Sequence, residues 1–184
     1  MPYDRFKHHR RSIRLREYDY AQPGAYFVTM VTNDRECSFG EVLDARARLN
    51  EYGEIVRQEW VRTAEIRSEI VLDVLIVMPN HVHGILFIRP PEEPTVSNRP
   101  VGPHGRAPLH RPPRTIGSFV AGFKSIVTKR INVLRGTPAW PVWQRNYHEH
   151  IIRDDDELRA KREYIALNPA RWDVDSENPR NVQP

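Results

Sequence analysis

The chain has a single cysteine, Cys37, among 184 residues. That excludes an intramolecular disulfide framework and any cysteine-rich zinc site, and it suits a reducing compartment. No apolar run approaches the length that a membrane-spanning helix needs, so no membrane partner is expected. The opening stretch MPYDRFKHHRRSIRLREYDY lacks the apolar segment of a secretory signal, and the expected location is cytoplasmic. There is no internal repeat. Net charge is also small, at +4 with a pI of about 9.4, a weak pointer to a polyanionic partner. With 39% hydrophobic and 28% charged residues, the balance is that of one globular domain with a sizeable core.

What the chain does have is unevenly placed. Arg5, Lys7, Arg10, Arg11, Arg14 and Arg16 crowd into the first residues, either a solvated basic arm or a nucleic-acid contact. Eight of the sixteen prolines fall between Pro90 and Pro113, which marks a surface linker too proline-rich for core structure. We therefore expect a basic arm over residues 1–22, one domain over 23–175 carrying a Pro-rich insertion at 90–114, and a tail over 176–184. Within the domain, GAYFVTMVTN after Pro23-Gly24 reads as a strand. Helical spacing runs from Ala45 to Ile66, with Glu59 its one polar intruder. EIVLDVLIVM and HVHGILFI, two residues apart, read as an antiparallel hairpin. TIGSFVAGFKSIVTKRINVLRG carries an amphipathic stripe stopped by Gly136. PVWQRNYHEHII gives a fourth strand, and Asp154 caps a last helix ended by Pro169. The order predicts an α+β, ferredoxin-like βαββαβ fold: a four-stranded antiparallel sheet with helices on one face, plus a C-terminal helix carrying Tyr164.

MPNHVHG, residues 78–84, is the densest concentration of chemistry. Alternate strand side chains share a face, so His81 and His83 project together with Val82 turned away. Two such imidazoles are a pair of metal ligands or two solvent-facing polar residues, and the spacing alone leaves both readings open. In the expected topology their strand lies inside the sheet, so they would stand on a rigid sheet surface whose alteration leaves the core intact. The last helix offers a third group, because Tyr164 and Asn168 lie four residues apart on one face. An Asn carbonyl beside two imidazole nitrogens suits Mn²⁺ or Mg²⁺ with open positions better than a closed structural zinc. Tyr164 would then be a nucleophile, and otherwise a core-packing aromatic. A free phenol titrates at about 10, so attack needs something that lowers this value or takes the proton.

MPNHVHGIL, then WQRNYHEHIIRDDDEL, then REYIALNP resemble the REP-associated tyrosine transposases, a branch of the single-tyrosine HUH transposases. The resemblance runs from Gly24 to Trp172. It implies His81 and His83 as the metal-binding histidines, Tyr164 as the single catalytic tyrosine and Asn168 as the third ligand. It also implies the activity: a metal-dependent single-strand DNA endonuclease and strand transferase acting on hairpin DNA through a 5′-phosphotyrosine. Rejoining reverses the cut and needs no ATP, in keeping with the missing G-x-x-x-x-G-K-[ST] loop. That branch implies a monomer, whereas a related branch forms dimers that exchange the tyrosine helix. NPARWDV departs from the NPVKHG of many relatives, and the Pro-rich insertion is a second departure, both bearing on DNA specificity. Arg10, Arg11, Arg14, Arg16, Lys124, Lys129, Arg130 and Arg145 are the candidate phosphate contacts, with solvated helix faces the alternative. His148 and His150 form a second H-x-H, read as a surface pair with His150 a candidate supporting or DNA contact. Tyr147 is the rival nucleophile, without a polar partner at the helical spacing. Two other functions stay open: a DNA-binding regulator without catalysis, and a metal phosphodiesterase that uses water.

Overall fold

Pro79-Asn80 folds the two apolar runs onto each other as predicted. In the computed structural model, which describes residues 22–90 and 115–181, β4 (Ile70–Val77) and β5 (His81–Ile88) pair antiparallel with Val77 opposite Val82. The N–H of Met78 donates to the His81 carbonyl at 2.8 Å, closing the turn. β5 also pairs along its length with β1 (Gly24–Val31), and β1 pairs with β6 (His148–Ile152). The sheet order is β4-β5-β1-β6, all antiparallel. This is the expected α+β architecture, with the histidine strand in the interior. The arm bearing Arg10, Arg11, Arg14 and Arg16 lies outside the described residues, as does nearly all of the Pro-rich insertion.

Strand alternation sorts the sheet into two faces. Tyr26, Val28 and Met30 of β1 and Val82 and Leu86 of β5 pack under α1 (Glu51–Ile66) and α2 (Ile116–Arg135), against Trp60, Phe119 and Phe123. Phe27, Ile85 and Ile152 face the other way and pack under α3 (Asp155–Leu167) through Ile165 and Leu158. His81 and His83 share this second face with Ile85. Gly84 turns toward Trp60, and a Cβ there would lie 2.5 Å from the indole ring, so only glycine lets α1 sit this close to β5.

Helix α1 starts later than predicted. Residues 40–49 instead form a hairpin, β2 (Gly40–Leu43) and β3 (Arg46–Leu49), turned at Asp44 and Ala45 with φ of 51° and 57°. Both values are those of a two-residue hairpin turn. Asn50 then caps α1, its side chain accepting from the N–H groups of Tyr52 and Gly53. The polar intruder Glu59 is buried and accepts from Arg130 of α2 at 2.6 Å. Asp154 caps α3 by accepting from the Glu157 N–H, and Pro169 opens a 3-10 turn, Pro169–Val174. Residues 176–181, expected as part of a tail, fold back on the domain. Arg35 donates to Glu177 at 3.1 Å, and Asn178 is buried. No helix among the described residues is long and apolar enough to cross a membrane.

Candidate active site

His81 is 0% and His83 3% exposed, so the pair is not on an open sheet surface. They lie beneath α3 and the 3-10 turn that follows it. Trp172, from the NPARW departure, sets its ring 5.9 Å from that of His81. Phe27 stacks on His83 at 5.3 Å. The two imidazole centroids are 4.5 Å apart. A sheet position that sequence periodicity assigns to a surface has become the floor of a covered site.

The protonation state of His81 follows from its neighbours. Asn80 donates from Nδ2 to the carbonyls of Arg35 at 3.1 Å and Glu177 at 2.7 Å, which fixes its Oδ1 as the atom facing His81 Nδ1 at 2.9 Å. An amide oxygen only accepts, so Nδ1 carries the proton and Nε2 presents a lone pair. That lone pair faces Asn168 Oδ1 at 3.3 Å. Asn168 is oriented in turn, because its Nδ2 donates to Asp175 Oδ2 at 2.8 Å. Two buried acceptors thus point at each other, an arrangement that a cation between them satisfies. A proton on Nε2 is the other way to satisfy it, but burial pushes the His81 pKa down, against the pull of Asp175 and Glu177. The ligand atoms of His81, His83 and Asp175 all lie within 4.8 Å of one another, a cluster that could hold a metal ion. Two imidazoles held by outer hydrogen bonds beside oxygen donors fit a divalent cation.

His83 lies the same way. Its Nδ1 is 2.8 Å from Thr29 Oγ1, and its Nε2 is 3.4 Å from the hydroxyl of Tyr164. Burial holds its pKa well below the ordinary histidine value, and the charges of His81, His148 and Lys161 add to the effect. It is neutral, as a ligand must be. Tyr164 is 37% exposed, with its ring edge-on to Phe27 at 6.0 Å. Its pKa is raised, first by burial and then by Asp175 and Glu177, with Arg171 opposing. The phenol is therefore protonated at neutral pH until an added positive charge or a proton acceptor assists it.

The four predicted central residues, His81, His83, Tyr164 and Asn168, come together. Asp175 and Asn80 are members that sequence reasoning missed. Asp175 follows the helix end with no periodic link to it, and Asn80 reads only as a turn residue. The cations of α2 do not join them, for α2 covers the opposite face of the sheet. Lys124 donates to the carbonyls of Gln144 and Asn146 at 2.9 and 2.7 Å, and burial lowers its pKa to about 8. Arg130 is taken by Glu59 and Gln58. Lys129 stands beside the groove between α1 and α2, and Arg145 is exposed in the loop before β6. Tyr147 also packs on the opposite face, and its hydroxyl donates to Glu149 at 2.7 Å. His148 and His150 share the face of the site across β1, opposite Thr29 and Phe27, and His150 pairs with Glu157.

Comparison with known proteins finds similar sequences and a similar fold. No family model matches the chain. An uncharacterized protein of Haemophilus influenzae is 38% identical over 169 residues, which cover 91% of this chain and 92% of the relative. A second protein of that organism, provisionally named a REP-associated tyrosine transposase, is 25% identical over 83% of this chain and 74% of its own length. Among solved structures, a REP-associated tyrosine transposase bound to a REP hairpin shares the fold, with a TM-score of 0.52 and 19% identity over 88% of this chain and 74% of that one. Together these similarities support a transposase-like role in DNA processing. The chain is thus similar in sequence to a protein provisionally named a REP-associated tyrosine transposase, and it shares the fold of a solved member of that family.

Proposed function

We propose that the protein is a metal-dependent single-strand DNA endonuclease and strand transferase acting on hairpin DNA, with Tyr164 as its nucleophile. One observation carries the reading. The Tyr164 hydroxyl stands 3.4 Å from His83 Nε2, while Asn168, four residues on, puts its carbonyl oxygen 3.3 Å from His81 Nε2. A nucleophile and a two-histidine, one-amide donor set therefore converge on one spot from two elements.

His81, His83 and Asn168 would hold the cation, Mg²⁺ or Mn²⁺, with Asp175 orienting Asn168 and contributing the one carboxylate of the cluster. When bound, the cation supplies Lewis acidity toward a non-bridging phosphate oxygen and positive charge beside the phenol. Tyr164 Oη attacks phosphorus and loses its proton, a Tyr–O–P bond forms, and the bond to the 3′ oxygen breaks. The 3′ oxygen leaves as a hydroxyl after taking up a proton. The 5′-phosphotyrosine retains the bond energy, so attack by a 3′-OH reverses the step. On this reading the tyrosine acts in cis, in a monomer. Arg10, Arg11, Arg14 and Arg16 keep their role as candidate DNA contacts.

A DNA-binding regulator without catalysis would need no tyrosine against the histidine pair, and a water-using phosphodiesterase would release both DNA ends free. The test is incubation of hairpin-bearing single strands with Mn²⁺, the label placed 3′ of the cut. Label migrating with the protein on a denaturing gel is the expected result, lost on chelation. Asn168→Ala should raise the Mn²⁺ concentration needed. Cleavage with all label in free DNA would overturn the reading.

A further inference from the structure

Helix α3 carries three basic side chains. Arg159 pairs with Asp156 and Arg162 with Asp73, but Lys161 has no ion pair or hydrogen bond among the described residues. Its ammonium lies 4.9 Å from the centroid of the Phe27 ring. Phe27 is the residue that stacks on His83 and meets the edge of Tyr164, and it pairs with Ile85 on one side and His150 on the other. The ammonium therefore stands over β1, between the histidine pair of β5 and the two histidines of β6.

This cation has a ring face but no carboxylate as its partner among the described residues. A cation–π contact outside a desolvated site is a weak interaction. Beside it stand the buried imidazole of His83, stacked on the same Phe27 ring, and a donor set suited to a second, divalent cation. Glu157, one helical turn before Lys161, already accepts from His150 and from the Arg153 N–H. What the position lacks is an anion, and the substrate proposed for this face is a chain of them. We propose that Lys161 contacts the DNA phosphate next to the one Tyr164 attacks, so that the bound strand runs from the histidine pair across β1 toward β6. This rests on the reading of the site as one that processes single-stranded DNA. It gives the strand a path that the cations of α2, on the opposite face of the sheet, do not provide.

The test is binding without reaction. In a Tyr164→Phe background, a fluorescent mixed-sequence single-stranded oligonucleotide is titrated by anisotropy over a range of salt concentrations. Lys161→Met keeps the apolar stem over Phe27 and removes the charge. It should weaken binding and make the slope of log K against log salt shallower by about 0.7, the value for one contact on a single strand. Lys161→Arg should restore most of the slope, which a merely structural role would not require. Unchanged affinity and slope in Lys161→Met would overturn the contact. At saturating DNA with Tyr164 intact, Lys161→Met should form adduct within about threefold of the wild-type rate, because a neighbouring phosphate is not the reacting one. A large loss at saturation with affinity intact would overturn the assignment to the neighbouring phosphate. If the wild type forms no adduct but Lys161→Met still loses slope, the proposed reaction fails and the phosphate contact stands. Adduct formation by the wild type with unchanged Lys161→Met binding defeats the contact alone.

Discussion

His81 and His83 are both buried and both held neutral, and this has a consequence for stability as well as chemistry. On unfolding, each imidazole regains the ordinary histidine pKa of about 6.5. Below that value the unfolded chain binds protons that the folded chain refuses, so stability falls as pH drops. In chelator, the thermal midpoint should therefore decrease between about pH 7.5 and about pH 5.5, and His83→Gln should flatten the dependence. A midpoint that holds or rises over that interval would contradict the burial argument. Replacing either histidine by alanine also orphans Asn80 or Thr29, so a cost of about 1–3 kcal/mol should accompany any loss of activity. The face shared by His81 and His83, and by Tyr164 and Asn168, is legible in the sequence because periods of two and of four residues are local geometry. Their burial is not. It depends on Trp172 and on Glu177, which lies 97 residues from its partner Asn80.

At the scale of elements, the β4–β5 hairpin, α2 with its Gly136 stop and the Asp154 cap of α3 follow directly from turn and cap chemistry. The β2–β3 hairpin does not. Arg46-Ala47-Arg48-Leu49 fits a strand or the first turn of a helix, and the choice is made by pairing with residues 40–43 and by the Asn50 cap. Glu59 looks like a defect in an apolar stripe until Arg130, on another helix, supplies its partner. That partner thereby engages Arg130, one of the expected DNA contacts. The contact of α1 with β5 depends on Gly84 in the same way. Gly84→Ala drives a methyl to within 2.5 Å of Trp60, a ring that is fully buried. Overpacking of this kind costs about 1–3 kcal/mol. The urea midpoint should fall with the m-value unchanged, and a neutral substitution would show that Trp60 is free to slide.

For the whole molecule, the modest net charge says little about where DNA lies, and the division of the sheet says more. One face is sealed by α1 and α2 over the main core, and the other carries both H-x-H pairs, Tyr164 and Lys161. A single nucleophile working on a backbone phosphate over that face favours single-stranded or hairpin DNA over regular duplex, whose stacked backbone cannot splay into a covered site. Competition by an equal mass of plain duplex should be weak, and equal competition would contradict this. The central claim is that the phenol oxygen of Tyr164 becomes bonded to DNA. It is tested most directly by denaturing mass spectrometry of the protein after incubation with hairpin DNA and Mn²⁺, comparing wild type with Tyr164→Phe. Wild type should carry a nucleotide mass that maps to the peptide containing Tyr164, while Tyr164→Phe binds the same DNA and carries none. Adduct on the Tyr164→Phe protein, or wild-type cleavage with no adduct at any time point, would contradict the account.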